Sequence, residues 1–153
     1  MNDPIEITQI DLRYENHRLK SAVQERALLA SIAERGIDQP LQGVSQDAAG
    51  GRVILLDGFK RLRCARKIKL GVVPFVSIAP DVVSAILVLL KISNAKSLSL
   101  LEQARLVDEL KRTGGLSVAE IASRLERSKA WVIARLDVLS KMSPRVAASV
   151  FSG

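Results

Sequence analysis

Cysteine and histidine are nearly absent from this chain. Cys64 is the only cysteine, so no disulfide forms within the chain and no cysteine-based zinc site can be built. His17 is the only histidine, which removes a histidine-based triad or metal cluster from consideration. Long apolar runs are missing too. The longest, Val82–Ile92, is broken by Ser84 and Lys91 and falls far short of the roughly 20 residues a membrane span needs. Met1–Leu12 carries acidic residues and no apolar run, unlike a secretion signal. A cytoplasmic protein with no membrane partner is therefore expected. No internal repeat or low-complexity segment occurs in the 153 residues.

Acidic residues are in deficit: 16 Asp and Glu face 23 Lys and Arg, a net charge of +7. Such an excess favours a polyanionic partner, nucleic acid or an anionic surface. It argues about association and not about fold, and many small proteins are basic for other reasons. Apolar residues make up 48% of the chain, enough for a packed core and against global disorder.

Along the chain, Ile5–Ile10 suggests a short edge strand. Ala22–Arg35 predicts a helix, with Leu28, Leu29, Ile32 and Ala33 at helical spacing and Gly36 placed to end it. Leu41–Ser45 and Arg52–Asp57 predict two strands, joined by the polar, Gly-rich Gln46–Gly51 as a hairpin loop. Phe59–Lys69 predicts a helix after Gly58, and Val72–Ile78, which contains Pro74, a further strand stopped by Pro80. After Asp81 the pattern turns helical. Val82–Ile92 is apolar almost all round and is expected as a core helix, with an exposed partner stripe as the alternative. Leu100–Lys111 is amphipathic, Gly114-Gly115 follows, and Pro144 opens a last turn or two of helix. The expected class is α+β: a small mixed domain over 1–80, connecting core helices over 81–116, and a helical region over 117–153.

The sharpest local pattern lies at 117–139. Ser117 and Glu120 form a capping box, and Ile121, Ala122 and Leu125 form an inward stripe. Ser128 caps a second helix whose inward stripe is Val132, Leu136 and Leu139. The small Ala122 permits a steep crossing, and Val132 is placed to face back onto it. This suits a helix-turn-helix, which lays its second helix in the DNA major groove. The turn position four residues after Ala122 usually needs positive φ and holds Gly; here it is Glu126. Ser128, Lys129, Trp131 and Arg135 are expected on the outward face, with Arg124 and Arg127 at the turn and Ser117 at the first helix's N-terminus. From Arg124 to Arg145 there are six basic residues and two acidic ones. These cations suit phosphates, and Ser128 and Lys129 suit base edges. The plain alternative is a solvated basic face. Trp131 either touches DNA or packs around Val146 and Val150, and packing is preferred because a large aromatic buries much apolar area.

A second basic element follows Gly58. Lys60, Arg61, Arg63, Arg66, Lys67 and Lys69 come without an acidic residue from 58 to 70. Cations near a helix N-terminus oppose the helix dipole unless an anion sits there, so the run suits a phosphate. A solvated charge run is the alternative.

Taken in order, Leu28–Pro40, Leu56–Ala65, Leu98–Ala104 and the helix-turn-helix resemble the ParB family of plasmid and chromosome partition. The resemblance implies a ParB/sulfiredoxin-type first half that binds CTP with magnesium, a homodimer that closes as a sliding clamp, and double-stranded DNA as partner at the nucleoid. It places a candidate nucleotide site at Gly36, Gln39 and Pro40 of the Gly-x-x-Gln-Pro segment, and at Gly58, Lys60, Arg61 and Arg63 of the family's Gly-Glu-Arg-Arg-x-Arg box. Phe59 stands where that box has its glutamate. The third family box, Glu-Asn-x-x-Arg, falls just before Leu98. Neither register, Lys91/Ile92/Ala95 nor Ser93/Asn94/Ser97, recovers its glutamate. Magnesium needs carboxylate oxygens, so the expected activity is DNA binding without nucleotide turnover, and no catalytic or metal residues are assigned. A CTP-gated clamp and a protein-interaction adaptor are the alternatives. The Asp-Gly-Phe-Lys-Arg form is similar to that of divergent ParB-like proteins encoded beside transposition genes. A transposition protein is thus a candidate partner alongside a partition ATPase. The sulfiredoxin reaction needs a cysteine in the Gly-x-x-Arg box, where Phe59 and Lys60 stand, and Cys64 is expected as a core residue.

Overall fold

A computed structural model describes residues 3–46, 51–92 and 98–142. The chain divides into two compact units, Met1–Ala85 and Ile86–Ser152. The fold is mixed α and β, as the sequence pattern implies.

The first unit is built on a five-stranded sheet of order β1-β5-β3-β4-β2. Its strands are β1 (Asp3–Glu6), β2 (Ile10–Asp11), β3 (Leu41–Ser45), β4 (Val53–Asp57) and β5 (Val72–Ser77). The single strand expected at Ile5–Ile10 is a correction. A 3-10 turn at Ile7–Gln9 splits it, and the two halves join opposite edges, β1 antiparallel to β5 and β2 parallel to β4. That requires a curled sheet. A four-step link reaches at most about 14 Å, whereas the edges of a flat five-stranded sheet lie about 19 Å apart.

β3 and β4 pair antiparallel, as a hairpin should, and the expected loop residues 47–50 lie outside the described residues. Gly43 is required where these strands meet. A Cβ there would lie 1.9 Å from the Ile54 carbonyl oxygen, next to a register shift at Gln42/Gly43. Val53, Ile54, Leu55 and Leu56 of β4 are all buried, so both faces of this interior strand are covered.

Two helices belong to this unit. α1 (Ala22–Arg35) is capped by Ser21, whose side chain accepts from the Gln24 N–H, and ends at Gly36. α2 (Phe59–Lys67) buries Phe59, Leu62, Cys64 and Ala65. Cys64 is therefore the core residue its position implies. α2 stops two residues short of the expected end, and Lys69 takes a positive φ of 60°.

α3 (Val82–Ile92) has the bounds its apolar run predicts and buries Ala85, Ile86, Leu89 and Leu90. In the second unit, α4 (Leu100–Arg112) opens on a capping box of Ser99 and Glu102 and buries Ala104, Leu106, Val107 and Leu110. α5 (Val118–Leu125) and α6 (Lys129–Ser140) follow, and α4 packs against both. The helical turn expected from Pro144 lies outside the described residues. No helix of the described residues is long and apolar enough to cross a membrane.

Candidate functional site

The α5–α6 pair is assembled from local signals. Ser117 accepts from the Glu120 N–H at 3.1 Å, and the Glu120 side chain accepts from the Ser117 N–H at 3.1 Å. Hydrogen bonds from Ser117 to the carboxylate, first from its backbone N–H and then from its side chain, hold the Glu120 carboxyl below its usual range. α5 ends as a Schellman turn: Arg127 N–H donates to Ala122 O at 2.9 Å and Glu126 N–H to Ser123 O at 3.2 Å. Glu126 has φ 56° and ψ 43°, so the turn takes the left-handed conformation expected of it without a glycine. Ser128 then caps α6 by accepting from the Trp131 N–H at 3.1 Å. Ile121, Ala122 and Leu125 are buried on α5, and Val132 is fully buried on α6. Leu136 and Leu139, expected beside Val132, are half-buried.

The cations divide into two groups. Arg124, Arg127 and Lys129 are exposed, and none forms an ion pair among the described residues. Arg135 is half-buried. Its Nε donates to Gln103 Oε1 of α4 at 3.2 Å, and its guanidinium lies 3.8 Å from the Trp131 ring centroid. Arg127 lies 5.2 Å from the same ring. Burial, then the nearby Arg127 charge, lowers the Arg135 pKa. The outward placement expected of Arg135 is thus corrected, because α4 claims that side of α6. Trp131 is half-buried between the two arginines in sequence, one turn from each. Its other expected partners, Val146 and Val150, lie outside the described residues.

In the first unit, Arg61 draws two sequence-predicted segments together. Its Nη1 donates to Gln39 O at 2.7 Å and Pro40 O at 3.0 Å, and its Nη2 to Asp57 Oδ2 at 3.4 Å. Burial lowers the Arg61 pKa; Asp57 opposes that shift and Arg18 adds to it. Asp57 also takes Arg18 at 2.7 Å, so one carboxylate faces two guanidinium groups. Gly58, at the start of α2, has φ 107°, and a Cβ there would lie 2.8 Å from Leu41 Cγ. Gly36, at φ 76°, starts the segment that leads to Gln39.

No family model and no curated protein matches this chain. Solved structures do. The C-terminally truncated chromosome-partitioning protein ParB from Caulobacter crescentus, complexed with CTP-gamma-S, aligns at a TM-score of 0.52 and 20% identity, over 100% of this chain and 86% of that one. The truncated protein complexed to the centromeric parS site aligns at 0.51 and 20% identity, over 99% and 78%. A Pnob8-like ParB-N domain aligns at 0.60 and 14% identity, over 99% and 73%. The chain has the ParB fold.

Within this ParB fold the remaining predicted positions separate. Lys60 lies beside α1, donating to Gln24 Oε1 at 2.6 Å. Arg63 is not brought to Arg61. It donates to Glu25 at 2.7 Å and Glu15 at 2.8 Å, and although burial works against its charge, hydrogen bonds to Glu25 and then Glu15 raise its pKa. Phe59, at the place of the family glutamate, is buried and offers no oxygen. Among the described residues no three Asp, Glu, His or Cys side chains group to hold a metal ion. Sequence reasoning missed Asp57 and Arg18, which share the Arg61 cluster. Asp57 adjoins the Gly58 box and was findable; Arg18 carries no local signal. It also missed Gln103, whose role depends on α4 lying beside α6.

Proposed function

We propose that this chain is a divergent ParB-like protein that binds duplex DNA through α5 and α6, acting in plasmid or chromosome partition or in control of a mobile element. The observation that carries this is the exposed cation group Arg124, Arg127 and Lys129, set at the turn and first residue of a capped second helix. Cations so placed replace counterions along the phosphate backbone, while the N-terminal end of α6 approaches the bases. The likeness to a ParB crystallised on its parS site supports the same reading. Ser117 and Ser128 add hydroxyls at two helix N-termini, a common place for phosphate. A homodimer at the nucleoid is part of this proposal. Titrating fluorescent duplex DNA at several salt concentrations tests it. About four to six phosphate contacts per subunit give a slope of log K against log salt of about −4 to −5. No binding at low salt refutes it.

A second reading has one observation in its favour. Arg61, in the first turn of α2 after Gly58, binds the Gln39 and Pro40 carbonyls at the helix N-terminus, where a nucleotide phosphate would approach. Under this reading CTP binds without a magnesium bridge, held by Arg61 and the N-terminus of α2. Calorimetry with CTP, with and without magnesium, tests it, and absence of heat at high CTP ends it.

A further inference from the structure

α6 exposes one continuous face made of Lys129, Ala130, Ile133, Ala134 and Asp137. At ~100° per residue these positions span about 140° of the helix. Ile133 stands within that arc and is 46% exposed, flanked there by the exposed Ala130 and Ala134. Of the side chains that pair two hydrogen bonds with one base, only Lys129 stands on this face, at its N-terminal edge; Arg, Asn and Gln are absent from it. Arg135 is drawn aside by Trp131 and Gln103, and the Ser128 oxygen caps its own helix. Between Lys129 and Asp137 the face therefore offers only methyl and methylene surface. Arg124, Arg127 and Lys129 cluster at its N-terminal end without an ion pair among the described residues, and their charge selects a polyanion over an apolar protein as occupant.

Resting on the DNA-binding reading above, we infer that Ala130, Ile133 and Ala134 read thymine methyl groups in the major groove, so that sequence preference comes from apolar contact and not from paired hydrogen bonds. The C5 methyl of thymine is the one apolar group a base pair presents in that groove. A buried methyl changes affinity about fourfold. Two contacted methyls thus give on the order of tenfold.

The test uses the full chain and duplexes selected from a random library, with thymine replaced by uracil in the bound site. That exchange removes only the methyl. The expected result is a loss of about tenfold in affinity for the parent and a much smaller loss for Ile133→Ala. Equal affinity for thymine and uracil duplexes overturns the inference while leaving DNA binding intact. Equal sensitivity in Ile133→Ala overturns the assignment to this face. Self-association abolished by Ile133→Asp, with unchanged DNA affinity, gives the face to a second copy and overturns it too. Failure of the parent to bind any duplex refutes the DNA-binding reading itself.

Discussion

The Arg135 guanidinium lies 3.8 Å from the centre of the Trp131 ring, one turn back along the same helix. The pair fixes which side of α6 is structural. Arg135 also reaches Gln103 on α4, so the stack fastens α6 to its neighbour. A cation over an indole contributes about 0.5–1 kcal/mol at exposed sites and more when desolvated.

Trp131→Ala should therefore lower stability by about 2 kcal/mol, combining lost stacking with lost apolar burial. Trp131→Phe should retain most of it. Urea unfolding measures both. Trp131 is the only tryptophan, so its emission reports on this stack alone.

Glu126 holds a left-handed backbone at φ 56°, which costs a non-glycine residue on the order of 1 kcal/mol. Its ion pair to Lys91, at 3.5 Å, is exposed on both sides and contributes little. Glu126→Gly should thus raise stability by roughly 0.5–1 kcal/mol. It should also strengthen DNA binding by removing a negative charge beside Arg127. A fall in melting temperature would contradict the strain argument.

Arg61→Ala should destabilise the first unit by roughly 2–3 kcal/mol in the absence of any nucleotide, because it leaves the Gln39 and Pro40 carbonyls without their charged donor. Gly43→Ala should cost roughly 3 kcal/mol, since its Cβ meets the Ile54 carbonyl on a packed strand. Denaturant midpoints check both. A neutral Gly43→Ala would mean that the β3–β4 register is wrong.

Much of this fold is legible in the sequence where one local rule decides. The bounds of α1, β3 and α3 follow from periodicity, Gly36 and the hairpin pattern. The Glu126 conformation follows from its place at the turn between two capped helices. Positions that depend on a distant partner are not legible. Ile5–Ile10 reads as one short edge strand, and only closure of the sheet explains why Glu6 and Ile10 serve opposite edges. Arg135 reads as outward because the pattern is judged against α5 alone, and nothing local announces Gln103. Arg63 matches the box it resembles by type, yet Glu15 and Glu25, far away in sequence, take its charge. The apolar face around Ile133 was readable: Lys129, Ile133 and Asp137 repeat every four residues.

Lys129 and Arg135 can now be told apart by experiment. Both are cations of α6, and both would strengthen binding if charge alone mattered. Lys129 is exposed at the helix start with no ion pair among the described residues, whereas Arg135 is committed to Trp131 and Gln103. Lys129→Ala should leave stability nearly unchanged and make the salt slope shallower by about 1, the signature of one lost phosphate contact. Arg135→Ala should lower stability by about 1 kcal/mol and leave the slope as it was. Its effect on affinity should vanish when the comparison is made well below both melting temperatures. If the two variants exchange these behaviours, the side of α6 assigned to DNA is wrong, and the Trp131 stack belongs at the groove.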